Sequence, residues 1–212
     1  MNTLLAALEA HNEEKEIEYG FFLHVKPEVL ADVIEQLSNN DYYTFSESKL
    51  PTENGMYGRL RHYLPTDEQP EDVFEYTIKQ KVVEDGGPTE NDEDNTELSK
   101  VGYLGLMQLT TSTCIRTRYR VPFYRDGEPM IRKNGEALCW EVDVYVDGRQ
   151  QGGVACEWVK VDLEVDKRVD IDVTPYIPFE YEEIIASSTK VPEERALIDN
   201  LYSNVYPVPA QA

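Results

Sequence analysis

The residues of this chain best suited to chemistry are like charges at strict i, i+2 spacing. Arg59-Leu60-Arg61, Thr77-Ile78-Lys79-Gln80-Lys81 and Arg116-Thr117-Arg118-Tyr119-Arg120 hold seven of its 20 basic residues. Against them stand Glu16-Ile17-Glu18, Glu141-Val142-Asp143 and Lys160-Val161-Asp162-Leu163-Glu164. In a β-strand, side chains at i and i+2 point to one face. Arginine forks match phosphate oxygens bidentately and lysine adds a point charge. Carboxylates hold a hard divalent cation through oxygen ligands. Such a cation would bridge a phosphoryl group or lower the pKa of an attacking water.

Two readings fit this pattern. Alternation of charged and apolar residues is how an antiparallel sheet shows water its outer face, and cross-strand Glu–Arg pairs stabilise such faces. Alternatively, the charged face lines an enclosed space, where like charges need a cation between them or opposite charges facing them. Segregation of sign by strand favours the enclosed reading, because surface strands usually mix signs.

The elements that must position these residues follow from periodicity and turn signals. Strands are expected at Glu16–Val25, Tyr42–Ser48, Met56–Leu64, Val73–Val83, Cys114–Tyr124, Pro129–Lys133, Ala137–Val146 and Val154–Val165. Lys26-Pro27-Glu28 opens a helix through Leu37, with Val29, Leu30, Val33, Ile34 and Leu37 at helical spacing. A second helix is expected over Thr96–Leu109, with Leu98, Val101, Leu104 and Met107 inward. A short helical turn is expected over Asn2–Ala10, and one or two helices over Phe179–Asn204. Asp126-Gly127, Asn134-Gly135 and Asp147-Gly148 read as turns. The stretch 84–95 (EDGGPTENDEDN) reads as an exposed acidic loop. The sum is one α+β domain over 1–212, with eight or so strands in an antiparallel barrel or curved sheet from about 14 to 170. A helical segment from about 179 to 204 packs outside it.

Composition narrows the function classes. With 41% hydrophobic residues, 14 Tyr and 6 Phe, the chain has the makings of a folded core. A net charge of −21 opposes general binding to DNA and other phosphate backbones. Three cysteines without a CxxC pair argue against a disulfide framework. No window approaches the roughly 18 apolar residues of a membrane span, and no apolar core of signal-peptide length follows a basic N-terminus. A cytoplasmic location is expected. His11, His24 and His62 lack metal-ligand spacing, and no GxSxG, P-loop, GxGxxG or HExxH pattern occurs.

Taken in order, the charged strands resemble the CYTH / triphosphate tunnel metalloenzyme family. That family opens on E-x-E-x-K, here Glu16-Ile17-Glu18-Tyr19-Gly20. It continues through a helix and an L-R-I-R-like strand, here Arg59-Leu60-Arg61. A T-x-K strand follows (Thr77-Ile78-Lys79), then a K-x-R strand (Arg116-Thr117-Arg118), an aspartate strand (Trp140-Glu141-Val142-Asp143) and an E-x-E strand (Asp162-Leu163-Glu164). The resemblance implies an eight-stranded antiparallel tunnel that grips a triphosphate-containing small molecule with Mg2+ or Mn2+ as cofactor. Carried over by position, Glu16, Glu18, Asp162 and Glu164 are metal ligands. Glu16, Glu18 and Asp143 are catalytic, with Asp143 orienting water or a basic side chain. Arg59, Arg61, Lys79, Arg116 and Arg118 bind phosphates, with Lys81 and Arg120 as additions. Gly20 stands where the family has its lysine, and Lys15 lies on the other face. The last acidic pair reads as Asp162/Glu164 or Lys160/Asp162, depending on alignment.

The resemblance implies metal-dependent hydrolysis of inorganic tripolyphosphate, a nucleoside triphosphate or an RNA 5′-triphosphate. The missing lysine keeps open a tunnel that binds a nucleotide or phosphorylated ligand without turnover. The acidic stretch 84–95 keeps open an interaction protein that regulates a basic partner such as a polymerase.

Overall fold

Ile17, Tyr19 and Leu23 in the first strand alternate with Glu18, Gly20 and Phe22, and the same parity runs through its neighbours. In the computed structural model, residues 16–51, 56–66, 69–83, 87–147, 154–165 and 172–205 are described. The strands are β1 (Glu16–His24), β2 (Asp41–Leu50), β3 (Met56–Tyr63), β4 (Val73–Val83), β5 (Thr89–Leu98), β6 (Ser112–Pro122), β7 (Tyr124–Arg125), β8 (Glu128–Pro129), β9 (Cys139–Asp147), β10 (Val154–Val165) and β11 (Glu183–Ala186). The helices are α1 (Pro27–Leu37), α2 (Lys100–Met107) and α3 (Pro192–Val205).

All pairings are antiparallel. The main sheet has nine strands in the order β10-β9-β6-β2-β3-β4-β5-β1-β11, and β7 and β8 form a separate ribbon. β1 meets β5 at Glu16–Glu18 and β11 at Phe21–His24. It also pairs with β10 from Ile17↔Val165 to His24↔Trp158. The α+β, antiparallel expectation therefore holds, with nine strands in the main sheet where eight were expected.

One face of these strands is apolar. Tyr19, Leu23, Val142, Val144, Val159, Val161 and Leu163 are buried together with Leu30, Val33 and Leu37 of α1. Pro27 starts α1, where its missing N–H is harmless. Leu60 and Phe74 are covered by Tyr103 of α2, whose first turn is capped by the Ser99 hydroxyl accepting from Gly102 N at 3.1 Å. The helices cover parts of this face, leaving Tyr42 of β2 and Ile115 of β6 exposed on it, and the charged side chains at the alternate positions of the same strands share the other face.

Four expectations are corrected. The first is the strand over Pro129–Lys133: only Glu128–Pro129 is extended as β8, and beyond it Ile131 makes an isolated bridge to Ala137. Most of the stretch read as an acidic loop, from Thr89 on, is β5. Its acids are weak strand formers, but Glu93 stands directly opposite Lys79 on β4, and opposite charges across a ladder stabilise it. The helix expected over Thr96–Leu109 is only α2, and it turns Tyr103 inward, while Val101 and Leu104 are exposed. In the tail, Glu183–Ala186 is a strand, drawn into extended form by the free edge of β1. Gly135 has φ of +88° and ends a tight turn closed by Gly135 N donating to Arg132 O, as the Asn134-Gly135 signal implied. The Asn2–Ala10 turn and the Asp147-Gly148 turn lie wholly or partly outside the described residues. Among the described residues no helix is long and apolar enough to cross a membrane.

Candidate functional site

β2 runs between β3 and β6, so a carboxylate on its polar face is reached by guanidiniums from both sides. That carboxylate is Glu47, 2% exposed. It accepts hydrogen bonds from Arg61 Nε at 3.0 Å, Arg116 Nη2 at 2.6 Å and the Tyr57 hydroxyl at 3.2 Å, and Arg59 Nη1 stands 3.8 Å away. Asp143 on β9, fully buried, accepts from Arg116 Nη1 at 2.7 Å. Arg118 binds the same carboxylate with two nitrogens, at 2.7 and 2.9 Å, and also pairs with Glu141. Burial alone would raise Asp143, but Arg116 and Arg118 pull it down to about 2. Burial would likewise lower Arg61, yet Glu47 holds it above its ordinary value. Phe45 is sealed among these groups, with the guanidiniums of Arg116 and Arg61 4.7 and 5.1 Å from its ring centre.

The β4 and β5 side of this face carries Lys79, ion-paired with Glu93, which also accepts from Arg59 Nη2 at 3.1 Å. Against the push of burial, Lys79 and Arg59 hold Glu93 below the usual carboxylate range. Thr77 donates to Asn95 at 2.7 Å.

On β1 and β10 the predicted metal ligands part company. Glu18 and Asp162 are buried, and the Lys160 ammonium, hydrogen-bonded to Asp162, lies 3.8 Å from Glu18 Oε1. Burial would lower Lys160, but Asp162 and Glu18 hold it above its ordinary value. Glu164 sits toward the end of the strand, 3.6 Å from Arg132. The side chains of Glu16 and Lys81 lie outside the described residues. Among the described residues no group of three His, Cys, Asp or Glu could hold a metal ion. The two described carboxylates that come together, Glu18 and Asp162, have an ammonium beside them, an arrangement that does not suit a hard divalent cation.

The two ends of the charged face differ. At one, Phe22, Cys114, Tyr145 and Ile185 pack with Ile198 and Leu201 of α3. Tyr202 of α3 is raised to about 12 by burial, although Lys160 and Arg116 act against it. At the other, Arg120, Arg132, Cys139, Glu141 and Glu164 line a small cavity of about 30 Å³. Arg120 is exposed there, apart from the buried Arg116 and Arg118. The structure therefore gathers Arg59, Arg61, Lys79, Arg116, Arg118 and Asp143 with Glu18 and Asp162 on one buried face.

Sequence reasoning missed Glu47, Glu93, Tyr57 and the placement of Lys160 between two acids. Glu47 lacks a like-charged partner at i+2, since Lys49 stands there, and Glu93 was submerged in an acidic run. Lys160 was in view as part of the β10 alternation.

No protein-family model and no curated protein matches the chain. Similar solved structures include a conserved hypothetical protein from Pyrococcus furiosus, 13% identical, with 89% of this chain and 90% of that one covered and a TM-score of 0.42. The PH1012 protein from Pyrococcus horikoshii OT3 is 14% identical over 90% of this chain and 89% of that one, with a TM-score of 0.41. A third is the adenylyl cyclase candidate HpAC1 from Hippeastrum, described as having a dominant triphosphatase activity. It is 13% identical over 93% of this chain and 92% of that one, with a TM-score of 0.40.

Proposed function

We propose that the protein takes a triphosphate-bearing small molecule into a tunnel walled by the eight strands β1, β10, β9, β6, β2, β3, β4 and β5. Arg59, Arg61, Lys79, Arg116 and Arg118 hold its phosphate oxygens. The observation that carries this reading is the centre of the charged face, where four guanidiniums share two fully buried carboxylates, Glu47 and Asp143. Burying such a network costs more desolvation than a packing of leucines and valines would, so stability alone does not account for it. An anion of higher charge matches four converging guanidinium forks better than two carboxylates do. The outer carboxylates, Glu75, Glu93 and Glu141, are the more exposed ones and are able to turn aside as the ligand enters.

A second reading is hydrolysis of that ligand, and Asp162 favours it. Burial raises its carboxyl above the ordinary carboxylate range against the pull of Lys160, with Glu18 adding to the rise. A carboxylate raised in this direction is a better proton acceptor for an attacking water than an ordinary one.

Calorimetric titration with tripolyphosphate and with ATP tests the first reading, and phosphate release from the same mixtures tests the second. Binding of at least one of the two compounds is expected. No binding of either would overturn the proposal, and binding without release would remove the second reading.

A further inference from the structure

The Glu18–Asp162 pair is built around an ammonium. Lys160 donates to Asp162 Oδ2 and stands 3.8 Å from Glu18 Oε1, with only 13% of its own side chain exposed. The neighbouring strand leaves no room for a cation of its own. Gly20 lies directly opposite Asp162, and a Cβ there would stand 2.7 Å from Asp162 Oδ1 and overlap Ser187 Oγ. β1 therefore cannot bring its own long cation to this point without displacing Asp162, and β10 supplies one instead. Asp143, on the neighbouring β9, is directly opposite Lys160, so the ammonium belongs to the same polar face as the arginines.

We propose that Lys160 takes the place of a divalent cation in this site, so that the protein binds its phosphate ligand without metal. The inference rests on the reading that this interior receives phosphates. Two carboxylates that would otherwise repel are held together by a single covalent positive charge. A metal ion entering between them would meet that charge within a few ångströms, and such like-charge repulsion is strong in a buried site. The ammonium has three N–H donors, so with two acids engaged it keeps a donor for a phosphate oxygen.

The test is a titration of Mn2+ without any phosphate, read by the loss of the free-ion paramagnetic resonance signal. Wild type and Lys160→Arg are expected to take up no Mn2+ at this pair. Lys160→Met, which keeps an unbranched side chain one atom shorter and removes the charge, is expected to bind Mn2+ roughly 100-fold more tightly, the scale of a unit charge removed from nearby. That gain should vanish in Lys160→Met/Glu18→Gln. Wild-type Mn2+ binding that Glu18→Gln abolishes would overturn the inference, as would no gain in a folded Lys160→Met. If Lys160→Met does not fold, the wild-type and Lys160→Arg titrations still decide. Because no phosphate is present, these outcomes are separate from those of the tripolyphosphate titration, whose failure would remove the binding reading itself.

Discussion

Gly20 and Asp162 face each other across β1 and β10 so closely that a single methyl group on Gly20 would stand 2.7 Å from Asp162 Oδ1. The glycine is needed for space, not for backbone freedom. Among the described residues Asp162 Oδ1 is buried without a hydrogen-bond partner, and Ser187 Oγ closes in on the same Cβ position still more tightly. Gly20→Ala should destabilise the fold by roughly 1–3 kcal/mol, the usual range for overpacking. Shortening the other neighbour, in Gly20→Ala/Ser187→Gly, should recover part of that loss. Urea unfolding of the three proteins is the check, and a fully stable Gly20→Ala would contradict the geometry.

Glu47 is a counter-charge that three arginines share. Replacing it with Leu strands buried guanidiniums and should cost about 3–5 kcal/mol. An added polyanion should then restore more stability to the variant than it gives the wild type, because it supplies the missing acceptor. Thermal melts with and without tripolyphosphate measure this. Equal shifts in both proteins would mean that the ligand does not reach Glu47.

Asp143 titrates in the folded state at about 2, below its ordinary 3.8. A depressed carboxylate contributes stability that is fully present above the unfolded value and is lost as pH falls through the folded one. The contribution of this group, about 2 kcal/mol, should therefore fade between roughly pH 4 and pH 2. The gap in unfolding free energy between wild type and Asp143→Asn is expected to narrow over that window. A gap that stays constant would show that Arg116 and Arg118 do not hold this carboxylate as described.

Much of this was legible in the chain itself, and the reason is parity. A strand has only two faces, so Arg59/Arg61, Arg116/Arg118 and Glu141/Asp143 announce a shared face before any partner is known. Spacing says nothing of which strands become neighbours, and Glu47 acquires its importance only because β2 lies between β3 and β6. β5 was hidden for a related reason: its acids look like solvated loop until Lys79 stands opposite Glu93. Val101 and Leu104 of α2 misled because an eight-residue helix buries too few side chains for its periodicity to decide which face turns inward. The metal ligands were the least readable. The same Lys160-x-Asp162-x-Glu164 alternation accommodates either an acid pair or an acid bridged by its own lysine, and the choice depends on what β1 leaves room for.

The central claim is that the arginine-lined face receives a triphosphate, and calorimetric titration of tripolyphosphate into the protein in the presence of EDTA tests it most directly. Saturable binding is expected in wild type. Arg116→Gln should weaken it by roughly 10- to 100-fold, as loss of a charge-assisted hydrogen bond implies, and Arg125→Gln, at an exposed ribbon position, should leave it unchanged. No saturable heat in wild type, or equal binding by wild type and a folded Arg116→Gln, would contradict the account.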